Sequence, residues 1–205
     1  MSLKTVKPTR SVLLEIKKKI ILSQRGHKLL KMKRDGLILE FFNILTKARD
    51  IHTQLIADYV NADKKLSIAV ATEGAIAVKS AAFAVTSNPE VLVRTKNVMG
   101  VVVPKIEASK VKKKMYERGL GIIGTSPRIE EAAKAFEDLT EKIIVAAEIE
   151  TTMKKLLDEI EKTKRRVNAL EFKVIPELTQ TAAFIRFRLE EMERENIFRL
   201  KKIKG

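Results

Sequence analysis

The feature that most constrains this chain is an unbroken three-four spacing of mainly apolar residues near its N-terminus. The positions alternate steps of three and four residues: Leu13, Ile16, Ile20, Ser23, His27, Leu30, Arg34, Leu37, Phe41, Ile44, Ala48, Ile51 and Leu55. This spacing is the stripe of a left-handed coiled coil. A helix over residues 9–59 is roughly 75 Å long at about 1.5 Å per residue, which is too long for a compact fold of 205 residues.

A second long helix is predicted over residues 127–203. Ser126 can cap its start, and Pro127 suits the first helical position because that N–H has no partner in any case. Its apolar stripe comprises Ile129, Ala132, Phe136, Leu139, Ile143, Ala146, Met153, Leu156, Ile160, Thr163, Val167, Leu170, Val174, Leu178, Ile185, Leu189 and Met192. Pro176 removes one backbone N–H, so we expect a kink there and not a helix end.

The stretch between these helices has a different composition. Residues 62–84 are rich in small side chains, and they either extend the first helix or form a short separate one. Ser87–Pro89 then breaks the chain. The β-branched run Val98–Ile106 predicts a strand, and Gly119–Gly124 is its expected hairpin partner.

Two long helices on either side of one insertion predict a mainly α fold, a long antiparallel two-helix coiled-coil hairpin with a small central β-hairpin head. The expected division is residues 1–80 for the N-terminal half of the coiled coil, 81–126 for the β-hairpin and loop region, and 127–205 for the C-terminal half. The numbers of facing residues should sum to about 205–210 in such a hairpin. A composition with 33% charged and 5% aromatic residues is typical of long helices.

The search for catalytic, metal and cofactor sites is nearly empty. The chain has no cysteine, and its two histidines, His27 and His52, are too far apart on one helix to share a metal ion. His27 falls on the apolar stripe, where a polar residue can set the helix register. No phosphate-binding Gly-Lys-Ser/Thr loop is present. We therefore expect no catalytic residue, no metal and no cofactor.

One glycine pattern resembles a dinucleotide-binding fingerprint. Gly119, Gly121 and Gly124 have the required spacing, and a helix follows them. However, the preceding residues 110–118 are too charged for a buried parallel strand, and no series of βαβ units follows. These glycines are better interpreted as the end and turn of a hairpin strand.

The net charge of +15 favours an anionic partner, which can be acidic protein, nucleic acid or an anionic membrane surface. Basic residues concentrate in residues 1–34 and at the C-terminus, which a hairpin places side by side. They form either a solvated charged face or a docking surface. Gly26 and Gly36 each cost about 1 kcal/mol relative to Ala inside a helix, which suggests that something surrounding this end shapes it.

Several separate motifs then carry a resemblance to a known family. They are Pro8–Leu14, Gln24–Asp35, Asn97–Pro104, Arg165–Glu171, Ile175–Leu178 and Glu193–Lys202, and together they cover essentially the whole chain. In this order they are similar to the D subunit of the archaeal A-type and vacuolar V-type rotary ATPases. The resemblance implies the central stalk of the complex, a rotor component without catalysis of its own that couples ATP synthesis or hydrolysis to proton or sodium translocation.

The resemblance also implies partners and a location. The paired terminal helices would project into a hexamer of catalytic A and B subunits, and the lower part would bind the small F subunit and the funnel-shaped C subunit on the membrane ring. The protein would be peripheral on the cytoplasmic side of the cell membrane, without direct membrane insertion and without nucleic acid. The expected hexamer contacts are basic: Arg25, Lys28, Lys31, Arg34, Arg165, Arg166, Arg194 and Arg199.

Three alternatives remain open at this point. A prefoldin-like chaperone also joins coiled-coil arms through β-hairpins, but its arms need apolar tips. A nucleic-acid-binding coiled coil would explain the charge, and its affinity should fall steeply with salt. A dinucleotide enzyme would have to be built on the Gly119 loop.

Overall fold

A computed structural model of the chain describes residues 7–85, 90–108, 111–112, 118 and 126–204. Its helices are α1 (Arg10–Glu73), α2 (Ala75–Ala84), α3 (Pro127–Ala169) and α4 (Ile175–Lys204), with a π-turn (Leu170–Val174) between the last two. Strands β1 (Val91–Val98) and β2 (Val101–Ala108) lie between α2 and α3. The predicted fold class is confirmed: a long helix pairs with another helix, and a small antiparallel β-hairpin accompanies them.

The contacts group the chain into two units. The terminal unit comprises Met1–Ile38 and Glu159–Gly205, and the central unit comprises Leu39–Asp158. The division of the sequence at residues 80 and 126 stays a prediction.

Both long helices begin beside a residue whose side chain caps the first turn, and for the second this is the predicted Ser126. The hydroxyl of Thr9 accepts a hydrogen bond from the Val12 N–H at 3.3 Å, next to the first residue of α1. At α3, the Ser126 hydroxyl accepts a bond from the Arg128 N–H at 3.3 Å, and Pro127 is the first helical residue. Thr9 and Ser126 thus satisfy N–H groups of each first turn.

The end of α1, which the sequence left open, lies at Gly74. This residue has a φ of 85° and a ψ of 152°, a conformation that residues other than glycine rarely adopt. The chain turns there, and α2 follows at an angle of 117° to α1. Both alternatives for residues 62–84 therefore hold in part: the first of these residues continue α1 to Glu73, and the later ones form the short separate helix α2.

The predicted apolar stripe faces the partner helix along most of its length. Every stripe position of α1 is at least partly buried, and Leu37 is fully buried. On the other side, Leu156, Thr163, Val167 and Ile185 are at most 1% exposed. The exceptions are Ile143 and Met192, which are 46% and 38% exposed.

Contacts within each unit show that the helices are antiparallel. In the terminal unit, Arg10 pairs with Glu193, His27 with Glu171 and Lys33 with Glu159, and in the central unit Asp58 pairs with Lys142. The numbers of these partners sum to between 192 and 203, so the predicted 205–210 is wrong, least at Arg10 and most at Lys33. At the end of the pair the reason is that α1 begins opposite Glu193, while α4 continues to Lys204.

Pro176 does not end the C-terminal helix, in agreement with the sequence. Immediately before it, the Ile175 N–H donates to the carbonyl oxygen of Leu170, five residues back, as in a π-helix. A proline ring clashes with the carbonyl of the residue four positions earlier, and the wider π-turn provides room for it.

The predicted strand Val98–Ile106 has the wrong bounds. Val98 ends β1, Met99 and Gly100 form the turn with φ values of 51° and 84°, and β2 begins at Val101. Positive φ at both central residues is what a two-residue type I′ turn requires. The strand that pairs with β2 is therefore β1, in the register Val98 to Val101 and Val91 to Ala108. The expected partner Gly119–Gly124 lies outside the described residues.

The β-hairpin is anchored on α3 through β2. Val101 and Val103, two residues apart on one face of β2, are buried, whereas β1 is exposed along nearly all its length. The Ile106 N–H donates to the Glu148 carboxylate at 2.9 Å, and the Lys155 ammonium donates to the Val102 carbonyl at 3.2 Å. Two polar contacts thus link β2 to α3, and the buried valines lie on the same strand.

Within the described residues, no single helix has the length and apolar character needed to cross a membrane. The bent pair α1 and α2 passes this test only when the two are taken together.

Candidate functional site

The eight basic residues expected to contact a partner all lie in the terminal unit. Seven of them are exposed: Arg25, Lys28, Lys31, Arg165, Arg166, Arg194 and Arg199. Three of the eight have neighbouring carboxylates on their own helix, since Arg34 lies 2.7 Å from Asp35, Arg199 lies 3.6 Å from Glu195, and Arg165 pairs with Glu161.

Arg34 differs from the other seven. Its side chain is 25% exposed, and both its Nε and Nη2 donate to the Asp35 carboxylate, at 2.9 and 2.7 Å. The guanidinium is therefore partly covered and bound within its own chain. A partner's carboxylate would have to compete with Asp35 for it, so Arg34 is the least suited of the eight to a surface contact.

An exposed apolar surface accompanies these charges, and the sequence patterns considered above did not predict it. On α1, five large apolar side chains of the terminal unit are at least half exposed: Leu14 (61%), Ile21 (50%), Leu22 (71%), Leu29 (63%) and Met32 (54%). Their spacing places them with Arg25 on the helix face away from the coiled-coil stripe. The signal in the sequence was a second series of apolar residues at roughly three-four spacing, on the opposite side of the same helix. Such a patch on a folded protein marks an interaction surface.

The end of α4 has the same mixed character. Phe198, Leu200 and Ile203 are 70%, 62% and 79% exposed, and Arg199 and Lys202 stand among them. These residues follow Glu193, which lies opposite the start of α1. Apolar side chains interleaved with cations suit a partner surface that is apolar and rimmed by carboxylates or carbonyls.

His27, the polar residue of the apolar stripe, contacts the π-turn. Its Nε2 lies 3.3 Å from a carboxylate oxygen of Glu171, and the two side chains are 22% and 51% exposed. This is a side-chain bridge between the two helices of the terminal unit. The register role of His27 stays a prediction.

Ion pairs shift several pKa values. A hydrogen bond from Lys19, together with its charge, lowers the pKa of the exposed Glu15. In the central unit, the buried Arg118 donates two hydrogen bonds of 2.8 Å to Glu137, which raises the pKa of its guanidinium. Each shift stabilises the charged form, so these groups are structural ions at neutral pH and not proton donors for a reaction.

No group of three or more His, Cys, Asp or Glu side chains in the described part of the chain is arranged to hold a metal ion. His52 is exposed on α1. The glycine pattern Gly119–Gly124 lies outside the described residues.

Comparison with known sequences decides the family. The sequence model of the family described as the D subunit of ATP synthase matches residues 12–205. The chain belongs to this D-subunit family of ATP synthases. A relative from Methanococcoides burtonii, named as the D subunit of an A-type ATP synthase, is 65% identical over 204 residues, which is 100% of this chain and 99% of the relative.

Other relatives with the same name support this assignment. The protein of Methanosarcina mazei is 63% identical over 205 residues, covering 100% of this chain and 98% of its own length. The protein of Haloquadratum walsbyi is 57% identical over 200 residues, covering 98% of this chain and 86% of its own length. The family resemblance found in the sequence is thus confirmed.

Proposed function

We propose that this chain is the central-stalk rotor component of an A-type ATP synthase, and that it couples ATP synthesis or hydrolysis to ion translocation without catalysing a reaction itself. Membership of the D-subunit family over nearly the whole chain supports this most strongly. The chaperone, nucleic-acid-binding and dinucleotide-enzyme alternatives have no comparable support.

The terminal unit is the part proposed to enter the hexamer of A and B subunits. Its helices pair along a stripe of buried and half-buried residues, and they carry exposed apolar and basic side chains on their outer faces. An antiparallel helix pair has a different surface on each side, so each catalytic interface would meet a different set of side chains as the pair turns. The difference in contacts is a coupling free energy between the shaft and each nucleotide site.

The contacts expected from Arg25, Lys28 and Lys31 suit a turning surface. A solvent-exposed ion pair contributes about 1 kcal/mol or less, so each contact breaks easily as the next one forms. The neighbouring Leu22 and Leu29 would add non-directional contact that does not depend on one partner atom. Arg34 is expected to contribute least, because Asp35 already binds it.

The other partners follow from the family. We propose that the small F subunit and the funnel-shaped C subunit bind the remaining part of the chain, and that the protein is peripheral on the cytoplasmic side of the membrane. No cofactor is assigned to it.

The experiment replaces Arg25, Lys28 and Lys31 together with Ala in the reconstituted complex. Ion pumping per ATP hydrolysed should fall several-fold while the complex still assembles, because the weak contacts that hold the shaft against the hexamer are removed. The matched control replaces three exposed lysines of the central unit, Lys47, Lys64 and Lys154, and alters the net charge equally.

Unchanged pumping per ATP in the basic variant would contradict the assigned contacts. An equal fall in both variants would show that the net charge matters and the position does not.

A further inference from the structure

One level of the terminal unit is only partly packed. On the partner side no residue between Val167 and Ile185 is buried, and the α1 stripe positions Ile20, Ser23 and His27 are only half-buried. Val167 and Ile185 are themselves at most 1% exposed, so tight packing bounds the level on both sides. Few buried apolar contacts mean a low free energy of local opening.

The backbone is also irregular at this level. The π-turn Leu170–Val174 lies within this partly packed stretch, and Pro176 follows it closely. Pro176 has no N–H to donate, so one hydrogen bond of the helical ladder is missing beside a turn whose geometry is already wider. Sharp bends in helices occur at prolines and at π-turns.

The facing helix offers little side-chain packing against this turn. Gly26 has no side chain, and a Cβ atom placed on it would meet no atom within 4 Å. Its neighbour His27 bridges to Glu171 in the π-turn through a single 3.3 Å contact, where a coiled coil would normally place an apolar side chain. The side-chain packing of both helices is thus weak at the same level.

We propose that this level is a flexible joint in the terminal unit, where the helix pair bends reversibly while the packed levels around Ile16 and Leu37 stay closed. The His27–Glu171 contact sets its resting position, because it is a polar and partly solvated contact between the two helices. A joint localises the deformation to one short stretch. Its use in storing torsion rests on the proposed rotor function, but its existence does not.

Hydrogen exchange on the isolated full-length chain tests the proposal without any partner. The amides of residues 171–178 should exchange about tenfold faster than those of residues 160–167, which precede them in the same helical segment. Equal protection over the two stretches would overturn the joint, because it would mean that the π-turn is a rigid feature.

Two variants test the cause. Pro176→Ala restores a backbone donor, and Gly26→Ala raises the helix propensity of the facing helix, where the space is open. Gly26→Ala should slow exchange at residues 171–178 about fivefold, the factor expected from the propensity difference between Gly and Ala. Pro176→Ala should slow it at least as much, because Pro is less favourable than Gly inside a helix. Neither change removes a buried side chain, so loss of folding is not expected.

The matched control is Asn43→Ala, at an exposed position of α1 in the central unit. It also raises helix propensity, but it should leave exchange at residues 171–178 unchanged. If the control slows these amides as much as Gly26→Ala does, the opening is global and the joint is refuted. Because no ATP synthase activity is measured, this outcome is independent of the proposed rotor function.

Discussion

Thr163 is the residue at which the structure makes its sharpest prediction about stability. Its side chain is 0% exposed, and its hydroxyl has no hydrogen-bond partner among the residues that the structure describes. The hydroxyl therefore loses its bonds to water on folding without gaining others. We predict that Thr163→Val, which replaces the hydroxyl with a methyl group of similar size, stabilises the protein.

The magnitude follows from the cost of an unsatisfied group. Leaving a buried hydroxyl unpaired costs about 1–3 kcal/mol, and the added methyl group contributes favourable burial of the order of 0.8 kcal/mol. A small steric cost opposes these terms, because Val167 and other neighbours pack closely. A net gain of about 1–2 kcal/mol is expected, which raises the melting temperature by about 2–8 °C for a chain of this size.

The assay is denaturant unfolding of the isolated chain, followed by helical circular dichroism. Thr140→Val is the matched control, because the Thr140 hydroxyl donates to the Phe136 carbonyl at 2.7 Å and the same substitution removes a bond that exists. The control should be neutral or destabilising by about 0.5–1.5 kcal/mol. If Thr163→Val destabilises as much as the control does, the Thr163 hydroxyl is satisfied in solution and the reasoning is refuted.

Two further predictions concern the central unit. Glu148→Ala removes the acceptor of the Ile106 N–H, so proteolysis within the hairpin should become faster. The control is Glu150→Ala at an exposed position, and equal cleavage of the two variants would contradict the anchoring role of Glu148. A hydrogen bond from Lys134 lowers the pKa of Glu130 below its ordinary value of 4.5, so the stability from this pair is present above that value and is lost as the pH falls through the lowered one. Lys134→Met should therefore flatten the acid side of the stability profile, and an unchanged slope would disprove it.

The helices were predictable because local rules determine them. The three-four stripe, the Ser126–Pro127 start and the continuation past Pro176 each depend on a few neighbouring residues, and the structure agrees with all three. The end of α1 was not predictable, because it depends on the positive φ of Gly74. Any glycine can adopt such a φ, so the sequence alone does not show which one ends the helix.

The hairpin was harder because its turn has an unusual sequence. Type I′ turns favour Asn-Gly, whereas here Met99 takes the left-handed position before Gly100. The Asn97 side chain accepts a hydrogen bond from the Gly100 N–H at 2.8 Å and helps to hold this turn. The run Val98–Ile106 therefore looked like one strand, although the turn divides it.

The candidate contact residues all lie in the terminal unit, because pairing of the two ends follows from the antiparallel stripe, and their contacts with a hexamer stay a prediction. Their chemical setting was not predictable in the same way. Once apolar residues were assigned to the coiled-coil stripe, Leu22 and Leu29 had no role, and only the structure separates a face that packs from one that does not. The partial burial of Arg34 against Asp35 has the same origin.

The partly packed level and the exposed apolar side chains both follow from the residues of this part of α1. Between Ile16 and Leu37, Ile20 and Leu30 are half-buried on the inner face, but Leu22 and Leu29 lie on the outer face while His27 occupies the inner one. A helix pair selected only for its own stability would place them the other way round, because inward burial stabilises by about 1.5–3 kcal/mol per side chain. The arrangement becomes favourable when another surface covers the outer face. Under the proposed rotor function, that surface is the hexamer, and the exposed leucines that cost the isolated helix pair stability are its contacts.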